Sequence, residues 1–363
     1  MFGSDELSAL VKLSLVVCTD TVGELLNNLE RGDPSPGGDG DGDGQDEKDP
    51  SLTSSSPGGI RVCDAVYIFG EHPDNEGSQV LALRIFFESI LERLLVMPWV
   101  EREAKQVLGP KLKELPEEPT DALQLVSDRD TLVSLALRLA MDLFERLMPV
   151  VLSTDDEGQR GSGNAGFTHI KQRVCQEVIW PCLVNFSTKV LQKTDFGLPS
   201  FINQREAAVS AAALTKTGGL LESHWAAHME SRVKAVPLPE TEKIVHTLNE
   251  ARALLGFCHE HEFKTLVICA PTFHLPRCFV TTVSALKEET QQRGRLTSFN
   301  VFCLCGTPLP WTAFVTHNQG KVCGTRLQIL EGELERLRLY HEKGDLLRPS
   351  EALQWFVEHR SLN

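Results

Sequence analysis

The sequence lacks the short signatures of two large enzyme classes. No G-x-x-x-x-G-K-[ST] loop occurs, which argues against a P-loop nucleotide hydrolase, and no G-x-S-x-G elbow occurs, which argues against a serine hydrolase. The one G-x-G-x-x-G run, Gly161 to Gly166, follows no predicted strand and is interpreted as a polar linker.

Basic stripes, long apolar runs and a cysteine framework are also missing. Of the net charge of −14, the segment from Gly32 to Ile60 contributes −6, and no basic patch predicts nucleic-acid binding. Four charged residues interrupt the most apolar helical segment, Leu132 to Val151, so no membrane span is expected. Ten scattered cysteines and an amino terminus without signal-peptide character favour a cytoplasmic protein with reduced thiols.

One stretch, Lys264 to Arg277, carries the strongest signal for a ligand site. Thr265 to Cys269 form a short apolar run with a β-branched bias, which is typical of a strand buried on both faces. A helical pattern begins at Pro276, so His274 and Arg277 are expected where a strand's carboxyl end meets a helix. Open α/β sheets bind ligands there, and an imidazole and a guanidinium beside helix N–H groups would suit phosphate or carboxylate.

Other apolar patterns supply further elements of an α/β domain. Val62 to Phe69 and Ser298 to Cys305 are predicted strands. Helices are predicted over 78–96, 131–147, 169–192 with an interruption at Pro181, 244–257, 325–340 and from 349 onward. In the helix from Thr325 to Tyr340, the leucines at 327, 330, 334 and 337 are expected to face inward and Glu333 outward.

Two segments resemble a known protein family. Thr272-Phe-His-Leu-Pro-Arg277 is similar to the T-S-x-x-H-x-x-R-A signature of the SanA/YdcF/ElyC-like proteins, the domain of unknown function 218. Thr241 to Arg252 resembles that family's S-x-N-T-x-E-N-A segment, with Asn249 and Glu250 in swapped order. The resemblance covers roughly residues 65–77 and 208–360, and it implies a Rossmann-like, mostly parallel sheet flanked by helices. It also implies S-adenosylmethionine as a candidate cofactor, because one family member is reported to bind it.

The resemblance further implies which residues would form the site. His274, Glu71 and Glu222 are candidates for a general base, and the sequence does not choose among them. Arg277 is expected to clamp an anion, and Gly218 and Gly219 follow a predicted second strand, Ala208 to Leu214. The predicted ligand-binding residues are Gly70, Arg84, Gly218, Gly219, Thr247, Asn249, Glu250, Thr272 and Arg277.

The chain is predicted to consist of five segments. These are a helical segment (1–31), a disordered acidic linker (32–60), a first βα unit (61–100), a helical insertion (101–200) and the remainder of the α/β domain (201–363). A flexible loop is expected over 153–166 within the insertion. The insertion could serve as a lid, an oligomer or partner surface, or a cap on the sheet.

No metal site is predicted. Asp39 to Gly44 matches only half of a calcium loop, since Pro50 stands where a bidentate Glu is required. Cys258, His259 and His261, and separately Cys303 and Cys305, have no second ligand pair at zinc spacing.

Two functions of different classes follow from these patterns. The first is a protein that binds an anionic small molecule, such as a nucleotide, S-adenosylmethionine or a phosphorylated metabolite, at the carboxyl ends of the strands. The second is a non-catalytic relative that acts as an interaction or scaffold protein. The intact Thr272 to Arg277 turn favours the first, and the swapped Asn249 and Glu250 favour the second.

Overall fold

The computed structural model describes residues 5–6, 8–9, 12, 62–70, 73–114, 122–155, 167–193, 229–238, 247–306, 310–317 and 322–360. These residues form a five-stranded parallel sheet and a separate two-stranded antiparallel hairpin. The sheet has the strand order β3-β2-β1-β4-β5, which is the order of a doubly wound, Rossmann-like sheet. The predicted α/β fold class is therefore confirmed.

The bounds of the elements are as follows. The sheet contains β1 (Ala65–Ile68), β2 (Val150–Asp155), β3 (Val233–Pro237), β4 (Thr265–Ala270) and β5 (Asn300–Cys305), and the hairpin contains β6 (Phe314–Thr316) and β7 (Cys323–Thr325). The helices are α1 (Pro73–Leu95), α2 (Pro98–Glu114), α3 (Ala122–Leu147), α4 (Phe167–Arg173), α5 (Trp180–Gln192), α6 (Thr247–Glu260), α7 (Leu275–Arg293), α8 (Arg326–Glu342) and α9 (Pro349–Arg360). A π-helical stretch, Val174–Ile179, joins α4 to α5, and Pro181, where an interruption was predicted, lies in the first turn of α5.

Two apolar cores lie on opposite faces of the sheet. Val66 and Ile68 of β1 pack in one core with α1 to α5, whereas Ala65 and Tyr67 pack in the other with α6 to α9. Coverage of both faces explains why β1 and β4 are continuous apolar runs, and β4 pairs in parallel with both β1 and β5.

Two strands differ from the sequence-based expectation. Val150–Asp155 is β2, not the end of an apolar helix followed by a loop from Ser153, and it lies between β1 and β3. The strand was missed because β2 is as apolar as the helix α3 that directly precedes it. Only Pro149 marks the break between the two elements. Strand β3 was not predicted from the sequence. The predicted second strand, Ala208 to Leu214, lies outside the described residues. Residues 101–200 thus contribute a sheet strand as well as helices.

Helix α8 presents a different face to the protein from the one predicted. Leu327 is 51% exposed, whereas Glu333 is 1% exposed, so the expectation that Glu333 faces outward is wrong. The buried stripe is Arg326, Ile329, Glu333 and Leu337. A capping box fixes the start of the helix, because Thr325 Oγ1 accepts from the backbone N–H of Gln328 and the Gln328 side chain accepts from the N–H of Thr325.

None of the described helices combines the length and the apolar character that crossing a bilayer requires.

Candidate functional site

The carboxyl ends of β1 and β4 form the switch point of the sheet. The chain continues from β1 to β2 on one side and from β4 to β5 on the other, so the connections diverge and leave a crevice. The polar side chains at this edge come from β1, β2, the helices α1, α6, α7 and α8, the turn after β4 and the segment after β6. They form one bridging amide and two clusters, each centred on a buried glutamate.

Gln79 of α1 ties the two strand ends together. Its Nε2 donates to the carbonyl oxygens of Phe69 at 3.0 Å and Cys269 at 3.4 Å, which fixes the orientation of the amide. Its Oε1 is buried and accepts no hydrogen bond within the described part of the chain. At the end of β5, a Cβ on Gly306 would lie 2.9 Å from Ser78 Oγ, so glycine permits the close approach of α1.

The first cluster surrounds Glu250 in the first turn of α6. Glu250 Oε1 accepts hydrogen bonds from Tyr67 Oη at 2.6 Å, Thr154 Oγ1 at 3.3 Å and the N–H of Gly70 at 3.4 Å. These neutral donors stand at the ends of β1 and β2, so the carboxylate holds α6 against the sheet edge. We call Tyr67, Gly70, Thr154 and Glu250 the Glu250 cluster.

The second cluster surrounds Glu333 of α8. Glu333 Oε2 accepts from His274 Nδ1 at 2.7 Å and from Arg277 Nε, and Oε1 accepts from His317 Nε2 at 2.7 Å and from Arg336 Nη1 at 2.5 Å. Four donors therefore fill the four acceptor positions of one carboxylate. We call His274, Arg277, His317, Glu333 and Arg336 the Glu333 cluster.

A hydrogen bond connects the Glu333 cluster to α6. Arg277 Nη1 donates to Thr247 Oγ1 at 2.8 Å, and Thr247 lies one turn before Glu250. The two clusters therefore meet at the first turn of α6.

Charges and burial determine the protonation states in the Glu333 cluster. Burial alone would raise the pKa of the Glu333 carboxyl, but the Arg277 charge and the hydrogen bonds from His274 and His317 outweigh it and hold the pKa well below its usual value. Burial, reinforced by the Arg277 charge, lowers the pKa of His274 to about 4 against the opposing effect of Glu333. At neutral pH the carboxylate is ionised, and His274 is neutral with its hydrogen on Nδ1.

The cluster carries more positive than negative charge. Two guanidiniums and one carboxylate leave a net charge of about +1 when both imidazoles are neutral. Arg277 is 6% exposed and Glu333 1% exposed, so little water screens this pair, whereas Arg336 is 26% exposed and partly screened.

The same residues include ligand types for a metal ion. His274, His317 and Glu333 are the one such group found among the described residues, and neither the Cys258 nor the Cys303 group is among them. However, the carboxylate lies between the two rings with one oxygen toward each, and both guanidiniums already contact it. A divalent cation would add charge to an already positive cluster, so the arrangement suits an anion better than a metal.

The backbone N–H groups at the turn before α7 donate to a carbonyl oxygen of the same turn. The N–H groups of His274 and Leu275 both donate to the carbonyl oxygen of Pro271 at 2.9 Å. The helix N–H groups that the sequence analysis assigned to an anion are therefore partly used within the turn.

The structure brings together only part of the predicted site. Gly70, Thr247, Glu250, His274 and Arg277 belong to the two clusters or their connection. Asn249 is half-buried beside Glu250, and Thr272 Oγ1 lies 3.1 Å from Cys305 Sγ at the end of β4. Arg84 is on α1 and donates to Glu88 Oε1 at 3.0 Å on a partly exposed surface, more than one turn beyond Gln79. Glu71, Gly218, Gly219 and Glu222 lie outside the described residues.

Sequence reasoning missed Tyr67 and Thr154 of the Glu250 cluster, His317, Glu333 and Arg336 of the Glu333 cluster, and Gln79. Glu333 was expected on the solvent face of α8, and the other five were not among the predicted site residues. The i, i+4, i+8 stripe of Ile329, Glu333 and Leu337 is a signal that could have placed Glu333 inward. No local signal identifies Gln79 as the bridge between β1 and β4.

Comparisons of the chain with known protein families, with characterised proteins and with solved structures find no match. The resemblance to the SanA/YdcF/ElyC-like proteins therefore stays a prediction.

Proposed function

We propose that the chain binds an anionic small molecule at the carboxyl ends of its sheet strands, with a phosphate or carboxylate group directed to the Glu333 cluster. One observation carries this proposal: two guanidiniums, the buried Arg277 and the partly exposed Arg336, share a single buried carboxylate beside the turn between β4 and α7. Because buried charge is costly unless it is paired, the excess positive charge favours a ligand that brings negative charge.

The position of the cluster supports the same proposal. Gly70 and the Pro271–Thr272 turn follow the two strands that flank the switch point, where ligands of open α/β sheets bind. A nucleotide, S-adenosylmethionine or a phosphorylated metabolite would offer the required anionic group, and its remaining polar groups would face the Glu250 side of α6. We assign no reaction, because Glu71 and Glu222 lie outside the described residues and His274 Nδ1 is bound to Glu333.

A competing function is that of a non-catalytic interaction or scaffold protein in which the Glu333 cluster is purely structural. The four hydrogen bonds that fill both oxygens of Glu333 favour this alternative, since no acceptor position is left over. A cytoplasmic setting suits either function, because the nine cysteines within the described residues are free thiols and burial raises the pKa of Cys182 to about 12.

A thermal-shift screen separates the two functions. The purified chain is heated with inorganic phosphate, nucleotides, sugar phosphates or S-adenosylmethionine, and the screen is repeated on Arg277→Ala. A ligand at a hundred times its dissociation constant adds about 2.7 kcal/mol, which corresponds to a rise in Tm on the order of 4 °C or more. We expect an anionic compound to shift the wild type and not Arg277→Ala, each compared with its own ligand-free Tm.

Arg252→Ala provides the matched control. Arg252 is exposed, and its guanidinium donates to Glu288 Oε2 at 2.8 Å on the surface between α6 and α7. Its substitution should leave every ligand shift unchanged. Equal shifts in Arg277→Ala and in the wild type would contradict the proposed site, and an absence of any shift in the wild type would favour the scaffold function.

A further inference from the structure

The Glu333 cluster has the composition of an anion-binding site in which the chain itself supplies the anion. His274 and Arg277 come from the turn after β4 and the first turn of α7, His317 comes from the segment after β6, and Arg336 lies on α8 together with the carboxylate. The donors are two guanidiniums and two imidazole N–H groups, which are the groups that hold phosphates in proteins. The carboxylate thus occupies the place that a ligand oxyanion would take.

The charge balance indicates which oxyanion fits best. A carboxylate brings one negative charge against the two guanidinium charges and leaves an excess of one. A phosphate monoester brings close to two negative charges at neutral pH, so it would neutralise Arg277 and Arg336 together.

The contacts of His317 show that two donors are crowded on one oxygen of the carboxylate. His317 Nε2 lies 2.7 Å from Glu333 Oε1 and also 2.7 Å from Arg336 Nη1. Because Glu333 can only accept, the hydrogen on Nε2 points to Oε1, which also accepts from Arg336 Nη1 at 2.5 Å. A phosphate group has three terminal oxygens and could accept from His317 and Arg336 at separate atoms.

Helix α8 is anchored in two apolar cores. Its first half packs with Phe273, Val315 and Ile329 in a small core, apart from the two large ones. Leu337, one turn beyond Glu333, joins a large core. The hairpin that precedes the helix has strands of only three residues each. Leu334, next to Glu333, also packs against that large core, so a ligand would move the Glu333 side chain aside rather than the helix.

We propose that Glu333 is a built-in occupant of a phosphate-monoester site, and that a ligand phosphate and the Glu333 carboxylate compete for Arg277, Arg336, His274 and His317. This inference rests on the proposed function and deepens it, since it names the ligand group and an internal competitor. Arg336 is 26% exposed and is the member of the cluster that solvent reaches, so a ligand meets it first.

The direction in which Glu333→Gln changes the affinity for phosphate tests the competition. Inorganic phosphate is titrated by calorimetry into the full chain, into Glu333→Gln and into Glu335→Gln. Glutamine keeps the shape of residue 333 but removes its charge, so we expect phosphate to bind Glu333→Gln at least about 10-fold more tightly than the wild type. Glu335 lies on the same helix, is 55% exposed and pairs with Arg338, so Glu335→Gln should match the wild type.

If Glu333→Gln does not fold, a second variant tests whether the Glu333 carboxylate occupies an anion-binding site. Glu333→Ala leaves space for a small carboxylate, and we expect acetate to raise its Tm by about 4 °C or more, while acetamide at equal ionic strength does not. An equal response to acetate and acetamide would overturn the inference, as would a folded Glu333→Gln that binds phosphate no more tightly than the wild type.

The outcomes also separate this inference from the proposed function. Wild-type phosphate binding that is lost in Arg277→Ala, without a gain in Glu333→Gln, rejects the competition and keeps the function. An absence of phosphate binding in both the wild type and Glu333→Gln, together with no shift from any compound in the screen, rejects both.

Discussion

Two buried glutamates at one edge of the sheet are stabilised in different ways. Glu250 is 5% exposed and accepts from a phenol, a hydroxyl and a backbone N–H, all neutral donors. Glu333 is 1% exposed and accepts from two guanidiniums and two imidazoles. Hydrogen bonds to neutral groups are of moderate strength. Buried opposite charges attract each other strongly, and the like charges that remain repel each other strongly when one partner is removed. The second glutamate should therefore be the more sensitive to substitution, pH and added anions.

Removal of each carboxylate gives the largest contrast. We expect Glu333→Ala to lower the free energy of unfolding by about 3–5 kcal/mol, because two guanidiniums would face each other without a counter-charge. Glu250→Ala should cost about 1–3 kcal/mol, since it removes the acceptor that Tyr67 Oη and Thr154 Oγ1 share. Urea unfolding of the two variants measures the difference.

A matched variant sharpens that comparison. Glu289 is also buried, at 4% exposed, but a single arginine, Arg293, pairs with it at 2.6 Å. Glu289→Ala should cost less than Glu333→Ala. Equal losses for Glu250→Ala, Glu289→Ala and Glu333→Ala would show that the surrounding charges do not distinguish these sites.

Acid should lower the stability of the folded protein through the Glu333 cluster. The pKa of His274 falls from an ordinary 6.5 to about 4 in the folded protein, so between these values the unfolded chain binds more protons than the folded one. Stability is therefore present above pH 6.5 and is lost as the pH falls toward 4, by on the order of 3 kcal/mol. The lowered pKa of Glu333 adds a further loss in the same direction below about 4.5.

The variant His274→Gln checks this assignment. Its free energy of unfolding, measured in urea across the same pH range, should fall less steeply than that of the wild type between pH 6.5 and 4. Parallel curves for the two proteins would assign the acid sensitivity to other groups.

The smallest expected effect concerns the link between the two glutamates. Thr247→Val removes the hydroxyl that accepts from Arg277 Nη1 at 2.8 Å, and we expect a loss of about 1 kcal/mol. Thr247→Ser keeps the hydroxyl and should retain most of the stability. A double-mutant cycle of Thr247→Val with Glu250→Gln would show whether the clusters are coupled, as their shared turn of α6 suggests.

The sequence was informative where the local pattern and the fold agree. The apolar runs at β1, β4 and β5 and the helical periods of α1, α6 and α7 identify most of the α/β core. Strand β2 could not be separated from α3, because both are apolar and only two residues lie between them. Strand order also lies beyond a local pattern, since β1 pairs with β4 across about two hundred residues.

The candidate site was predictable only in part, for the same reason. His274 and Arg277 stand together in a recognisable turn, so sequence reasoning identified them. Glu333 lies 59 residues from His274 and 56 from Arg277, and a glutamate on an amphipathic helix is ordinarily placed outward. Only the fold shows that the charge is buried and paired.

The most direct test of the account is an NMR titration that follows the imidazole nitrogens of His274 and His317 as inorganic phosphate is added. The account predicts saturable shifts at both rings, which lie 6.0 Å apart on either side of the Glu333 carboxylate, and no shift at His259 on α6. Phosphate binding that saturates while His274 and His317 stay unchanged would place the anion elsewhere and contradict the central claim.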